Sequence, residues 1–474
     1  MTTDNIFSLH TQYKIEAITI DGIDVIGLFQ SIEIFESIYS TAITGTITIF
    51  DTDYAGFIEK YEIEFLEPFS FTFSNALGEV LQFDGYLSGL RNEVVKQKNK
   101  LYAVDFVSQS IRNDDEVFIT KAYKEELPED IIEEMVDIID SDGDRKGIIG
   151  RGEPMNFVSG RRKPTKVMSY VCNHASDAGG KVTPNEETQE GVAKGTGGFL
   201  CWQTLDGYRF CSIAQLKQLG NNGENYPYTV YGGYEYTLAG QGKSVEEMML
   251  HIIQHEFPKI ADYDEKRKSG ANNHKLILFD IDKGEYIELE SKAEPKKDTT
   301  KKQAADNEKP TRIKTKIVSN EMFNEEQKEE KEVDDTIDQT RKVDAQALKS
   351  QTTFDDQHGR FTLAPRFSMR AGDAIDVKIR KVLIGAGDKE ESSTFDRKHS
   401  GLYVIRQVGH HMFSDGTAYT KIQTLRSLDQ QDDDSANEPP GRPALTTPRP
   451  PRRRPLPNSP TSRQRGNRIL FGDL

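Results

Sequence analysis

No stretch of this 474-residue chain approaches the ~18–20 consecutive apolar residues that a membrane-crossing helix needs. Apolar residues make up only 35% and charged residues 29%, which predicts a soluble chain with several modest cores, roughly three at ~150 residues per domain. There are three cysteines, Cys172, Cys201 and Cys211. So small and odd a set excludes a disulfide framework and fits a reducing compartment. The N-terminus, MTTDNIFSLHTQ, lacks the basic start and apolar run of a secretion signal.

Catalytic and metal motifs are missing as well. DSDGDRKG (140–147) has the look of a calcium loop, but counting from Asp140 puts Arg145 and Arg151 where an EF-hand needs Gly and Glu. His251 and His255 stand four apart on a predicted helix, yet Ile252 occupies the place of the metalloprotease glutamate. His410 and His411 are neighbours in a predicted strand and point to opposite faces. Cys172 and His174 are two apart on a predicted helix and do not face each other. GVAKGTGG (191–198) lacks the Gly-Lys-Ser/Thr ending of a phosphate loop. No cofactor and no enzymatic activity are expected.

What is present is charge and alternation. The formal charge is −16, and residues 441–474 carry eight Arg against Asp473 alone. That tail is +7, so the rest of the chain is −23. An acidic body repels nucleic acid, and a basic tail seeks an acidic partner. RPPRRRPLP (449–457) has no interleaved aromatics for base stacking. Nucleic acid, protein docking and a passive tether all remain open for it. The chain ends in ILFGDL, and Arg452, Arg453, Arg454, Ile469, Leu470 and Phe471 are the candidate partner-docking residues.

TAITGTITIFD (41–51) alternates threonine with isoleucine. A strand's period of two puts Ile43, Ile47 and Ile49 on a core face and Thr44, Thr46 and Thr48 on the other, facing a channel or a neighbour. Around it, residues 13–110 read as strands, with an Asp21-Gly22 hairpin, YEIEFLEPFSFTF, and a long ribbon turned at KQKNK. Helices are predicted at LPEDIIEEMVDIID, with Ile131, Met135, Ile138 and Ile139 on one face, and at PTKVMSYVCNHASDAGG, with Val167, Tyr170 and Val171 as its stripe and Gly179-Gly180 as its stop. GFLCWQTLDGYRFCSI reads as a hairpin. A third helix is predicted at SVEEMMLHIIQHEF, with Ser244 and Glu247 as a capping box. Residues 291–345, with 13 basic and 14 acidic residues, read as a charged loop leading into a solvated helix, packed in part through Ile337, Val343, Ala347 and Leu348. Strand patterns return at 358–428, and beyond 430 Pro, Arg and Ser predict extended disorder.

The two strand-rich ends echo each other. YEIEFLEP followed by FDGYLSGLRNEVVKQKNKLYAVDFVSQS matches, in layout rather than identity, GDAIDVKIRK followed by GLYVIRQVGHHMFSDGTAYTKIQTLRS. The expected fold is mainly β with α+β insertions: two related antiparallel β-barrel domains per chain. The first spans 1–112 and the second 214–240 with 351–430; an inserted α+β domain covers 113–213, an inserted charged α/β region 241–350, and a disordered tail 431–474.

The order ESIYSTAITGTITIFDTD, the FDGYLSGL ribbon, LPEDIIEEMV, SYVCNHASDAGG with its hairpin, and GRFTLAPRFSMRAGDAIDVKI resembles the central baseplate hub proteins of T-even-type contractile-tailed bacteriophages, over roughly residues 10–428. The charged stretch 291–335 and the basic tail depart from that pattern. The resemblance implies a homotrimeric, pseudo-six-fold ring in the phage tail baseplate, assembled in the host cytoplasm. Its implied partners are a spike carrying a lysozyme, tail-tube initiator proteins and baseplate wedge proteins, and DNA passes through its channel without specific binding. The alternatives are a tail-associated peptidoglycan hydrolase, another tube-initiating component, and a nucleic-acid binder acting through the tail.

Overall fold

The computed structural model describes residues 11–52, 56–63, 66–96, 99–145, 147–175, 198–213, 215–216, 228–232, 248–259, 273–280, 284–292, 312–318, 357–380, 395–396 and 398–426. The first part of the chain forms β1 (Tyr13–Ile20), β2 (Ile23–Asp24), β3 (Phe29–Ser37), β4 (Thr44–Asp51), α1 (Phe57–Lys60), β5 (Pro68–Asn75), β6 (Val80–Lys96) and β7 (Asn99–Ser108). Asp21 and Gly22 adopt left-handed backbone (φ 48° and 75°), as the predicted hairpin requires. β5 starts at Pro68, and Tyr61 and Glu62 lie in a turn, so the strand expected from residue 61 begins later. Alternating phenylalanines build the first core: Phe69, Phe71, Phe73, Phe83 and Phe106 are buried, with Phe69 and Phe106 centroids 4.7 Å apart. Each such side chain contributes about 1.5–3 kcal/mol.

The insertion comprises α2 (Gln109–Glu116), β8 (Ala122–Glu126), α3 (Pro128–Ile139), β9 (Gly147–Ile148), β10 (Met155–Val158), α4 (Pro164–His174), β11 (Phe199–Thr204) and β12 (Gly207–Ser212). α3 carries Pro128 in its first turn and buries Ile131, Ile132, Met135, Val136 and Ile139, while Ile138 packs at the margin. α4 buries Val167, Met168 and Val171. Gly179-Gly180 lies outside the described residues. The β11–β12 hairpin forms as expected.

The remainder gives β13 (Tyr228–Gly232), β14 (Ile252–Lys259), β15 (Asn273–Asp280), β16 (Glu285–Lys292), β17 (Arg312–Val318), β18 (Gln357–Leu363), β19 (Ala374–Ile379), β20 (Gly401–Phe413) and β21 (Ala418–Arg426). Two expectations fail here. Of the predicted third helix, Met248 and Met249 are helical, but Ile252–Lys259 is a strand paired with β18. Ile252 is buried opposite Leu363, and the Phe257 ring meets Phe361 at 5.7 Å; this tertiary pairing overrides local helix propensity. The charged stretch contains β17, which joins β15 and β16 in a three-stranded sheet. Ser244, Glu247 and the helix expected around Ile337–Leu348 lie outside the described residues.

The fold is mainly β, with antiparallel pairing dominant, but among the described residues the pairings do not give two closed barrels. One 13-stranded sheet runs through both strand-rich ends in the order β14-β18-β21-β20-β3-β4-β7-β6-β5-β1-β2, with β19 and β13 branching from β20. β20 serves two neighbours. Gly401–Val404 pairs with β19, and beyond an irregularity between Ile405 and Gln407 the strand pairs with β3 from Gln407↔Ser37 to Phe413↔Ser31. A bulge bends a strand and strengthens its twist, which lets one strand switch partners. Met412, Ala418 and Phe367 consequently pack into the first core. β1 meets the far end of the same ribbon, where Tyr13 Oη donates to Phe413 O at 2.6 Å.

Gly45 makes the close packing of β4 possible. A Cβ there would lie 2.2 Å from the Phe106 ring and 2.4 Å from Glu33 O. Gly45→Val is expected to lower stability by about 2–3 kcal/mol through overpacking, read as a lower midpoint in denaturant unfolding; an unchanged midpoint contradicts this packing.

Candidate assembly surface

Pairing order reveals an internal duplication that identity hides. β3-β4-β7-β6-β5 in the first half corresponds to β14-β18-β21-β20-β19 in the second, each strand with the matching neighbour. The register corresponds too. Both ribbons carry a bulge just after leaving their inner neighbour, at Leu87/Gly89 in β6 and Ile405/Gln407 in β20. At those points Leu87 N donates to Glu67 O (3.0 Å) and Ile405 N to Asp373 O (2.8 Å). β3 shifts register between Phe29 and Ser31, and β14 between Ile252 and Gln254. Gly45 and Gly359 fall at equivalent positions, each beneath a phenylalanine ring. The correspondence ends at the outer strands: β1 pairs antiparallel with β5, whereas β13 is parallel to β19.

The two halves therefore meet through inequivalent edges, the β3 edge of one and the β20 edge of the other. The counterparts of those edges are open among the described residues. β14 ends the sheet path, and β6 pairs beyond Leu87 only with β7. This open part of β6 exposes Leu90, Val94 (56%) and Val95 (52%), an unusual composition for an unpaired edge.

Thr44, Thr46 and Thr48 lie on the face opposite the core, Thr44 exposed and the others half-buried, while Ile43, Ile47 and Ile49 are buried. A polar row crosses the strands on that face. His411 Nδ1 lies 3.0 Å from Glu33 Oε1, Thr46 Oγ1 donates to Asp105 Oδ1 at 2.9 Å, and Arg91 pairs with Asp105. The adjacent His411 imidazole holds the Glu33 carboxyl below its usual range, against burial. His410 points the other way, against the Phe367 ring, and burial pushes its imidazole down to about 3. The predicted opposition of the two histidines is thus present, and neither works as half of a pair.

Behind the β3–β20 joint sits a buried charge latch that sequence inspection missed. Glu36 on β3 is 1% exposed. Its oxygens accept from Leu205 N (2.9 Å) in the β11–β12 turn and from Ala371 N (3.0 Å) in the second half. Arg370 lies 3.7 Å from Glu36 and reaches Asp206 at 3.1 Å; Arg209 bonds Asp373 at 2.8 Å. Burial raises the Glu36 carboxyl and Arg370 opposes that rise. Trp202 Nε1 donates to Ala371 O (2.9 Å), and Gly372 (φ 88°) sits under its ring, where a Cβ would lie 2.4 Å from Cζ2. The available signal was parity: Ile32, Ile34, Glu36 and Ile38 share a face, so a carboxylate stands at a core position.

The remaining candidates separate. His255 lies in β14 rather than on a helix with His251. His174 Nδ1 bonds Tyr170 O at 2.8 Å, and the Cys172 thiol is raised by contact with Cys201 and by burial, opposite to an activated nucleophile. Among the described residues, no group of three or more His, Cys, Asp or Glu side chains is arranged to hold a metal ion, and no helix is long and apolar enough to cross a membrane. Arg452, Arg453, Arg454, Ile469, Leu470 and Phe471 lie outside the described residues.

No family model matches the chain, and no curated protein does. Among solved structures it is similar to a tail protein from Neisseria meningitidis MC58, at 9% identity and TM-score 0.49, covering 89% of this chain and 98% of that one. It is similar to the 43 kDa tail protein of prophage MuSo2 from Shewanella oneidensis, at 10% identity and TM-score 0.46, covering 90% and 100%. The c3393 protein of E. coli, a component of the type VI secretion system, is similar at 8% identity and TM-score 0.39, covering 88% and 78%.

Glu36→Ala would leave two buried amides without their acceptor and take the carboxylate away from the buried Arg370. The expected cost is about 3–5 kcal/mol, read as a lower denaturation midpoint; wild-type stability in this variant contradicts the latch.

Proposed function

We propose that this chain is a structural hub of a contractile-tail baseplate. Three copies, the number implied by the sequence resemblance, close into a pseudo-six-fold ring that joins the six-fold tail tube to a three-fold spike in the virion. The observation that carries this reading is the β3–β20 joint. Because the halves are equivalent, repeating the step that joins them brings β14 of one copy against the open part of β6 in the next. Such a contact is heterologous, and a heterologous contact closes into a ring when its rotation allows. It would also cover the apolar edge of β6.

The threonine face belongs to this proposal. Thr44, Thr46 and Thr48 would line the channel or a neighbouring subunit, and an acidic, hydroxyl-bearing wall would let DNA slide without sticking. Spike, tube-initiating and wedge proteins are its proposed partners, with the two insertions and the tail residues Arg452–Arg454 and Ile469–Phe471 as contacts. The proposed role is assembly rather than catalysis.

Register makes the proposal testable. At the intrachain joint Glu33 stands opposite His411. Glu256 is the counterpart of Glu33, through its pairing with Arg360. Val94 is the counterpart of His411, through its pairing with Leu101. Ile38 N donates across the joint to Arg406 O, so odd-numbered β3 residues occupy the non-hydrogen-bonded sites, where side chains approach closest. A Val94→Cys/Glu256→Cys double variant is expected to oxidise into interchain disulfides, up to a covalent ring on non-reducing gels. Each single variant should remain monomeric on the same gel. A double variant that cross-links no more than the single ones contradicts the proposed contact.

A further inference from the structure

The insertion carries a cationic patch at odds with the acidity of the chain. Residues 117–124 and 158–166 hold Lys121, Lys124, Arg161, Arg162, Lys163 and Lys166 and not one carboxylate, in a chain of net charge −16. The fold joins the two segments. Ile119 and Arg162 form a bridge, and Ala122 pairs with Val158. Two cations are matched: Lys163 pairs with Asp115, and Lys121 with Glu134 at 2.7 Å. Lys124, Arg161, Arg162 and Lys166 are exposed, with no carboxylate partner among the described residues.

The two arginines are held in place by aromatic rings. The Arg161 guanidinium lies 5.4 Å from the Phe118 ring centre, and that of Arg162 lies 4.8 Å from Tyr170. Gly160 and Arg161 are consecutive left-handed residues (φ 54° and 55°), a costly conformation for arginine. Phe118 is 51% and Val158 56% exposed beside them. Stacked guanidinium groups keep their N–H forks free, a geometry that matches carboxylates.

We propose that this patch is the docking surface for an acidic protein segment with apolar side chains, supplied by a partner. Its carboxylates meet Arg161, Arg162, Lys124 and Lys166, and its apolar residues cover Phe118 and Val158. A protein segment suits the site better than nucleic acid. Phe118 and Val158 offer apolar contact, and the remaining chain repels an extended polyanion beyond a Debye length of about 8–10 Å. This inference does not depend on the ring.

Zero-length carbodiimide coupling of the full chain to a synthetic peptide alternating glutamate and leucine, mapped by peptide mass, is the test. The basic tail 441–474 has no lysine and is silent in it. Preferential coupling at Lys124 and Lys166, lost at about 0.5 M salt where the Debye length falls to a few Å and lost in Arg161→Glu/Arg162→Glu, supports the proposal. Coupling spread evenly over the exposed lysines overturns it. Displacement of the peptide by a single-stranded oligonucleotide at matched charge overturns it in favour of nucleic acid. Cross-links from Lys124 or Lys166 to the chain's own 432–434 carboxylates, formed without peptide, overturn the assignment to a partner. The salt and competition measurements use the unmodified chain, so they stand whatever the variant does.

Discussion

Seven backbone pairs between β3 and β20 make one sheet of two halves. Their register sets the rest. Because side chains alternate across a strand, a slip of one residue would turn Ile32 and Ile34 out of the core and Glu36 out of its latch. It would also separate Glu33 from His411, which meet at 3.0 Å on the outer face. The latch works in the opposite direction: Glu36 holds amides from the β11–β12 turn and from Ala371, so the insertion and the second half are fixed against the strand that joins them. A buried charge cluster is a weak source of net stability, but removing one of its partners is costly. Its effect is to penalise other registers.

The bulge at Arg406 is the device that makes the joint possible. A regular β20 would continue alongside β19; the extra residue redirects it onto β3. Ser88 occupies the corresponding bulge in β6, and beyond it β6 has no second neighbour among the described residues. The same backbone feature thus appears twice, once occupied from within the chain and once open. Val94 and Val95 are exposed on the open instance.

Short-range rules carried the sequence far where local chemistry decides the outcome. The alternation in TAITGTITIFD assigned the two faces of β4, Asp21-Gly22 its hairpin, and Pro128 the start of α3. Failures came where distant partners decide. LHIIQHEF has helical spacing, yet β18 recruits Ile252–Lys259 as a strand. RIKTKIV was hidden by its lysines, although its period of two is a strand signature that pairing with β15 completes. The duplication was visible only as a layout, since it is preserved in pairing order and bulge position rather than in side chains. The first of its strands begins at Pro68 rather than at residue 61 for the same reason: neighbours, not the local pattern, set where pairing starts. Glu36 was legible in principle from its parity, but its partners, Arg370 and Leu205, are 334 and 169 positions away.

The proposed ring requires that the step joining the two halves repeat between copies until it closes. Electron microscopy of the purified chain, with its mass measured by light scattering, tests this most directly. The predicted result is a ring of three 53.6 kDa copies with a central hole and near-six-fold features in its inner wall. A species whose mass stays that of one chain even when co-expressed with a spike partner, or a two-fold dimer joined by identical edges, would contradict it.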